Sequence, residues 1–361
     1  MKISMTIAAL TAAIMVSAQD TTHRAAAPVL KLSGYVEAYY SFDANRPADN
    51  RRPAFLYSHN RHNEFTVNLA YLKASYKEDR VRASLALAAG TYMDANYAAE
   101  PGIWKNVLEA NAGVRLSRDH ELWLDAGVLP SHIGFESAVS RDCWTLTRSM
   151  VAENSPYFES GARLGYTSGN QKWSIALLAL NGWQRITRIN GNSLMSWGAQ
   201  VQVKPSDKLT FNYSNFIGSD TPDSSRRWRM YHNFYGITQL TSRLGLIAGF
   251  DLGTQQAEKG SSHYQLWYTP VAILRYQLSP QWYLAARGEY FRDRDGAIIA
   301  TGTTNGFATT GWSVNADYSP SAQALLRIEA RWLNSRDAIF SKEDGSVSNN
   351  LSITASAAIA F

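Results

Sequence analysis

The sequence predicts an all-β protein, a transmembrane antiparallel up-and-down β-barrel of about 16 strands, with roughly 14 to 18 strands compatible with the pattern. Three observations lead to this fold class. Segments of about ten residues alternate between apolar and polar side chains, which is the period of a β-strand. Short turns alternate with longer polar connections. Aromatic side chains lie near strand ends on the apolar face, at Tyr40, Phe42, Tyr166, Trp173, Tyr276, Trp282, Tyr290, Trp312, Tyr318 and Trp332.

Together these features are typical of barrels that face lipid outside and a polar interior inside. A soluble sandwich or a lipocalin-like barrel is the alternative. Such folds bury their apolar face in a core of limited size, and about sixteen strands of one meander exceed it.

Residues 1–18 have the features of an export signal. Lys2 precedes an apolar stretch that ends in Val16-Ser17-Ala18, a small-residue cleavage site. The stretch is shorter than the ~20 apolar residues of a membrane-spanning helix. Cys143 is the only cysteine, so neither a lipid-attachment cysteine nor an internal disulfide is expected. We therefore expect a signal peptide at 1–18, a periplasmic lead at 19–30 and a barrel over 31–361, in the outer membrane of a Gram-negative bacterium.

Alternation and turns together place the strands of the first half. In segment 63–76, for example, Phe65, Val67, Leu69 and Tyr71 share one face and are expected to point away from the lumen. Tight polar turns at 77–80 and 117–120 separate consecutive strands. The first six strands are expected at 31–42, 63–76, 81–92, 108–116, 121–128 and 158–166.

The second half repeats the scheme, with turns such as 204–207 and longer polar segments such as 334–350. The last strand ends in Phe361, and it looks like the C-terminal aromatic signal by which the barrel-assembly machinery recognises its clients. Ten further strands are expected at 172–181, 194–203, 208–216, 228–240, 244–252, 264–278, 282–291, 307–318, 324–333 and 351–361.

Four stretches carry a resemblance to a known family: LSGYVEAYY near the start, VNLAYLKASY at 67–76, DAGVLPSHIGFES at 125–137 and AENSPYFESGARLGY at 152–166. On these stretches the chain resembles the OmpL-like group of outer-membrane porins, beta-barrel porin type 2, from about Leu32 to Phe361. The resemblance implies an outer-membrane diffusion channel. It does not imply a particular solute.

A ring of about sixteen strands is wide enough to hold an aqueous lumen. We expect passive diffusion of small hydrophilic solutes or ions, in which fixed charges favour some solutes without any bond being made. Bracing of the wall is an equal alternative for each charge, because same-face neighbours such as Arg287 and Glu289 can pair with each other. The pore-lining candidates are Glu37, Arg82, Glu109, Arg115, Asp125, Arg163, Arg275, Arg287, Glu289, Asp317, Arg327, Glu329 and Arg331.

The longest connection, 130–157, joins the fifth and sixth strands. Loops of this length inside an ordered domain are usually functional. In general porins the long loop after the fifth strand folds into the lumen, which suggests a constriction here. We expect a charged reagent on Cys143 to block the open channel partly. The constriction-loop candidates are Glu136, Arg141, Asp142, Cys143, Trp144, Arg148 and Glu153.

Two other functions compete with the channel. A surface receptor or adhesin would act through extracellular loops, such as the one that carries Trp183, Arg185 and Arg188. An outer-membrane lipid hydrolase needs a Ser and a His held together. Ser131 and His132 are neighbours that point apart on an extended chain, and no GxSxG or HExxH motif accompanies them. We therefore expect no enzyme and no catalytic residue.

The composition limits the partners. The net charge of +5 is spread along the chain without a basic block, which excludes nucleic acid. No cluster among the seven His and one Cys indicates a metal, and no cofactor is expected. The expected partners are outer-membrane lipids, the barrel-assembly machinery, small hydrophilic solutes and, since porins of this strand number are commonly trimers, further copies of the chain.

Overall fold

The computed structural model describes residues 28–361, which form a closed antiparallel barrel and a separate two-stranded hairpin. The strands are β1 (Val29–Asp43), β2 (Phe65–Lys77), β3 (Val81–Ala89), β4 (Val107–Arg115), β5 (Glu121–Pro130), β6 (Phe158–Thr167), β7 (Trp173–Leu180), β8 (Ser196–Ser206), β9 (Leu209–Gly218), β10 (Arg229–Gln239), β11 (Leu244–Gln256), β12 (Tyr264–Gln277), β13 (Trp282–Asp293), β14 (Phe307–Tyr318), β15 (Ala324–Ser335), β16 (Phe340–Lys342), β17 (Gly345–Val347) and β18 (Asn349–Ala360). Two short helices, α1 (Thr91–Asn96) and α2 (Met150–Glu153), lie in the connections.

Sixteen strands close the barrel, with β1 paired to β18, and β16 pairs only with β17. The predicted all-β barrel of about sixteen strands is therefore confirmed. The expected signal peptide at 1–18 lies outside the described residues, as does the lead at 19–27. β1 begins at Val29, which is earlier than the predicted barrel boundary at residue 31. No helix among the described residues is long and apolar enough to cross a membrane.

Short and long connections alternate around the barrel, so all short turns lie at one end and all long loops at the other. The long connections are 44–64, 90–106, 131–157, 181–195, 219–228, 257–263, 294–306 and 336–348. Two details differ from the predictions. β8 continues to Ser206, so the turn expected at 204–207 is shorter. The segment expected to be a polar loop at 334–350 contains the β16–β17 hairpin.

The outer face of the barrel is apolar, as the alternation predicts. A continuous exposed band of this kind is unfavourable in water and is typical of a surface in contact with lipid. Six of the ten predicted aromatic positions are also exposed there: Tyr166, Trp173, Tyr276, Trp282, Trp312 and Trp332. The band itself includes Leu85, Leu124, Ile175, Leu177, Leu274, Leu284, Val314, Ile328 and Ile353.

The predicted facing of segment 63–76 is wrong for its second half. Phe65 is 88% exposed on the outer face, whereas Leu69 is fully buried opposite Glu37. The register between β1 and β2 shifts at this point, and Asn68 is the extra residue of a β-bulge. One extra residue reverses the alternation beyond it, so Leu69 and the residues after it change face.

The expectation of a polar inner face is wrong for the end of the barrel that carries the long loops. There many inward side chains are large and apolar, beside buried polar ones such as Asp43, Asp293 and Asn350, and the apolar ones pack against apolar residues of loops that fold inward. We call this group the lumen cluster. Its wall members include Leu178, Leu180, Phe216, Tyr231, Trp267, Phe291, Phe307 and Leu333, and its loop members include Phe55, Leu56, Ile133, Met150, Trp183, Ile299 and Phe340. The loops bring apolar side chains into the lumen, and those side chains are stabilised by apolar partners on the wall.

Candidate functional site

The connection 131–157, which we call the inner loop, lies inside the barrel. Thr147 N donates a hydrogen bond to Glu329 Oε2 at 2.5 Å, and Met150 N donates to Glu289 Oε2 at 2.5 Å. Both carboxylates belong to the inner faces of β15 and β13. Backbone amides of a loop need acceptors when they are buried, and wall carboxylates supply them here.

Arg287 is the central anchor of the inner loop. Its guanidinium donates to Thr145 Oγ1 at 3.0 Å, to Thr147 O at 2.6 Å and to Thr147 Oγ1 at 3.0 Å. It also pairs with Glu329 at 3.0 Å and with Glu289 at 3.2 Å. All three charged side chains are buried. Each charge is balanced by an adjacent opposite charge, and burying it without such a partner would be costly.

A second anchor lies nearer the short turns. Arg327 donates to Ser140 O at 2.6 Å and to Cys143 O at 3.1 Å, while Asp317 holds its guanidinium at 2.7 Å. Ser140 also donates to Glu37 on β1, and it shares a hydrogen bond with Tyr35 Oη at 3.0 Å. The turn of the inner loop is thereby attached to both sides of the seam where the barrel closes.

Two glycines on β11 let the inner loop approach the wall closely. A Cβ at Gly245 would lie 2.6 Å from Trp144 Cη2, and one at Gly249 would lie 2.9 Å from Phe135 Cε1. A Cβ at either position would force the ring to shift, so glycine allows these two rings to approach the strand this closely.

His132 fixes the start of the inner loop. Its Nδ1 lies 2.8 Å from Glu159 Oε2, and its Nε2 lies 2.8 Å from Asn215 O. Burial lowers the pKa of His132, but the Glu159 carboxylate and the two acceptors outweigh it and raise the pKa above its ordinary value. The doubly protonated ring satisfies both acceptors, so this attachment is strongest below that raised pKa and weakens as the pH rises through it.

The expectation that Cys143 offers an open thiol is wrong. The residue is 5% exposed, and its Sγ accepts a hydrogen bond from Ser137 N at 3.2 Å. Burial raises the pKa of the Cys143 thiol to about 11. The reactive thiolate is therefore scarce at neutral pH, and the sulfur is covered.

Two of the other predicted loop charges, Arg148 and Glu136, make their hydrogen bonds within the inner loop. Arg148 donates to three loop carbonyls, Ser137 O, Ala138 O and Leu146 O. Glu136 accepts a hydrogen bond from Ser149 N, and Glu153 is buried. Arg141 is partly exposed and donates a hydrogen bond to Gln323 O, whereas Asp142 is exposed.

The connection 44–64, which we call the first loop, covers the inner loop from the long-loop end. Tyr57 N and Ser58 N both donate to the carboxylate of Glu153, at 3.0 and 3.2 Å. Asn154 Nδ2 donates to Phe55 O at 3.1 Å. The sequence reasoning missed this role, although the apolar run Phe55-Leu56-Tyr57 within a polar segment was a usable signal.

The pore-lining candidates fall into two groups. Glu37, Arg287, Glu289, Asp317, Arg327, Glu329 and Arg331 are buried beneath the inner and first loops. The second group lies near the short turns; five of its members are on β3–β6, and Arg275 is on β12, next to the strand that Trp144 and Phe135 contact. This group comprises Arg82, Glu109, Arg115, Asp125, Arg163 and Arg275, most of them partly exposed.

Most charges of the second group are paired. Lys73, which the sequence reasoning did not single out, pairs with Glu109 at 2.7 Å. Arg82 pairs with Asp125 at 2.5 Å, and Arg115 pairs with acids of the neighbouring turn. Among the described residues, Arg163 and Arg275 have no ion-pair partner, and Arg275 lies 4.1 Å from the centre of the Tyr283 ring.

Known proteins resemble this chain in sequence and in fold. A sequence model of the family described as "Putative beta-barrel porin-2, OmpL-like" matches residues 29–361. The chain belongs to this family. Its outer-membrane location as a β-barrel, predicted from the sequence, is thereby confirmed, as is the porin class. A search of curated proteins finds no match.

Solved structures share the fold of this family member. An anion-selective porin from Comamonas acidovorans has a TM-score of 0.63 and 9% identity, covering 92% of this chain and 100% of its own. The outer-membrane channel DcaP of Acinetobacter baumannii has a TM-score of 0.60 and 11% identity, covering 92% and 97%. OmpT of Vibrio cholerae in its trimer form has a TM-score of 0.58 and 10% identity, covering 93% and 100%.

Proposed function

We propose that this porin is a passive diffusion channel for small hydrophilic solutes, in which the inner loop narrows the lumen and the first loop covers its outer side. One observation carries the proposal. The inner loop is fixed to β13–β15 by buried hydrogen-bonded charges, while the opposite inner wall keeps partly exposed charges. A path bounded by a fixed loop on one side and a charged wall on the other selects by size and by field.

The proposed path has a weak preference for anions. Paired charges on the wall largely cancel, and Arg163 and Arg275 leave an excess of positive charge. The Comamonas acidovorans neighbour is described as anion-selective, which points in the same direction. The buried arginines beneath the inner loop act as braces in this proposal, because their charge is neutralised by adjacent carboxylates.

Planar bilayer recording tests the channel. We expect the purified, refolded barrel to insert and to give small, stable, ohmic current steps in potassium chloride. A receptor or adhesin barrel would insert without current steps. Lack of any conductance from protein whose gel mobility shifts on boiling would contradict the proposal.

We propose that the barrel performs no catalysis. A hydrolase of the kind considered from the sequence would need Ser131 and His132 to act together. Both ring nitrogens of His132 are taken by Glu159 and Asn215 O, and Ser131 Oγ accepts from Ile133 N at 3.0 Å. The ring is thus oriented by the wall and not by the serine.

We expect Cys143 to react slowly in the folded channel. The thiol is buried and its raised pKa leaves little thiolate, so a negatively charged methanethiosulfonate reagent should label the folded protein far more slowly than the unfolded protein. Mass spectrometry at fixed times measures this directly, with Cys143→Ser as the blank. Rapid labelling of the folded barrel would show that the inner loop leaves the wall readily.

We propose that the channel assembles as a homotrimer, with its other partners being membrane lipids and the barrel-assembly machinery that reads the strand ending in Phe361. The apolar outer face offers surface for subunit contact as well as for lipid. OmpT of Vibrio cholerae is described in a trimer form. The molar mass of the unboiled, detergent-solubilised protein distinguishes a trimer from a monomer.

A further inference from the structure

A cavity of about 880 Å³ lies at the long-loop end of the barrel. The first loop, α1 and the connections 294–306 and 336–348 surround it. Its apolar lining includes Phe55, Leu56, Ile299 and Ile339, next to the lumen cluster. A concave site with an apolar floor and a few charged groups is typical of small-molecule binding.

Two arginines of the first loop contribute positive charge to this cavity, and neither makes an ion pair among the described residues. Arg52 is 3% exposed, and its guanidinium donates only to neutral acceptors, His59 O at 3.3 Å and Ser352 Oγ at 2.8 Å. Its Nε has no hydrogen-bond acceptor among the described residues. Arg51 is exposed and lines the same cavity without an ion pair in the described part of the chain. A buried guanidinium without a carboxylate is costly unless an anion approaches it.

Some acidic residues of the cavity are held by hydrogen bonds or ion pairs, and others are exposed without an ion pair. Asp43 accepts two hydrogen bonds from Asn350 Nδ2, at 2.8 and 2.7 Å. Glu64 pairs with Arg61 at 2.7 Å. Asp49 of the first loop and Asp94 of α1 are both exposed and have no ion-pair partner among the described residues, and Asp49 Oδ1 accepts a hydrogen bond from Arg51 N at 3.0 Å. The cavity thus presents open charge of both signs.

The arginines and Asp49 lie on the first loop, whereas Asp94 lies on a different element, α1. Arg52 is attached to β18 through Ser352, whereas α1 is attached to β1 through Thr91 Oγ1, which lies 3.2 Å from Tyr39 Oη. A solute with one negative and one positive group would engage both sides, and its apolar part would lie on the floor between them. A simple anion would leave Asp94 unpaired beside it, and a simple cation would leave the arginines unpaired.

We infer that this cavity binds zwitterionic solutes with an apolar side chain, namely amino acids or short peptides, before they reach the constriction. The carboxylate lies at Arg51, with Arg52 strengthening the local positive field, and the ammonium group lies at Asp94. The inference rests on the proposed channel function, and it names the class of solute that the channel would transport.

Calorimetric titration of the detergent-solubilised full chain tests the site without any need for conductance. The probe is the dipeptide leucyl-phenylalanine, compared with its N-acetyl and its C-amide derivatives. We expect the free dipeptide to bind and each derivative to bind about tenfold more weakly, since each lacks one charge-assisted contact.

Two variants test which residue of the cavity binds which charged group of the dipeptide. Arg51→Gln should abolish the difference between the free dipeptide and its C-amide, and Asp94→Asn should abolish the difference between the free dipeptide and its N-acetyl form. Both residues are exposed, so folding should be preserved, which the gel shift on boiling verifies. Arg46→Gln, an exposed arginine of the same loop that does not line the cavity, should bind all three probes as the parent does.

Three outcomes overturn the inference. The dipeptide does not bind, or the N-acetyl form binds as well as the free dipeptide, which would indicate a plain anion site, or neither variant changes the preference. Bilayer recordings on the same samples keep the two proposals apart. Conductance without dipeptide binding refutes this site alone, and binding without conductance refutes the channel alone.

Discussion

Arg287→Ala is expected to free the inner loop and to give larger, noisier current steps than the parent channel. The substitution removes five contacts to Thr145, Thr147, Glu289 and Glu329. It leaves the buried Glu329 without an ion-pair partner, whereas Glu289 keeps its pair with Arg331 at 2.7 Å. Breaking a buried ion pair in this way costs about 3–5 kcal/mol. The loop can recover part of that cost by moving away from the wall and admitting water. Single-channel conductance and its variance measure the result.

Arg243→Ala is the matched control, because Arg243 is exposed in the short turn between β10 and β11. It should leave the conductance unchanged. Cys143 provides an independent readout of the same event, since a released loop should expose the thiol and accelerate its labelling in Arg287→Ala. Parent-like conductance and parent-like labelling in a barrel that still shifts on boiling would show that the inner loop does not depend on this arginine.

The second large effect is expected from the two arginines near the short turns that have no ion pair. Replacing both Arg163 and Arg275 with Gln should move the reversal potential in a salt gradient toward that of a cation-preferring channel. These two arginines have no ion-pair partner among the described residues, so their charge acts on the path, whereas the charges of Arg82 and Lys73 are offset by adjacent carboxylates. The shift should shrink at high salt, because screening shortens the reach of fixed charge.

Arg118→Gln serves as the control for net charge, since Arg118 is exposed in the turn between β4 and β5. Its removal should change the reversal potential much less than the double substitution. If Arg163→Gln with Arg275→Gln leaves the reversal potential where it was, the selectivity does not originate on this wall, and Arg141 and Asp142 of the inner loop become the groups to change.

The candidate site was only partly predictable. The position of the longest loop, after the fifth strand, indicated where the inner loop would be, and the inward side of each charged candidate followed from alternation. The alternation could not predict which of the inward charged side chains are exposed to water. Arg287 and Arg163 occupy equivalent positions in the pattern, yet the first is buried and the second is partly exposed, because the inner loop lies against one side of the lumen only.

The amino-acid pattern was sufficient to predict the barrel, a number of strands close to sixteen and the alternation of turns and loops. These features are local: a strand that faces lipid must place apolar side chains at every second position, and a barrel must satisfy all its backbone hydrogen bonds between neighbouring strands. The bulge at Asn68, the side of the lumen that the inner loop covers, the inward course of the first loop and the open charges of the cavity became visible in the folded structure alone. Each of these depends on contacts between residues far apart in the chain, such as Thr147 with Glu329 and Phe55 with Phe307, and no local period records which distant side chains will meet.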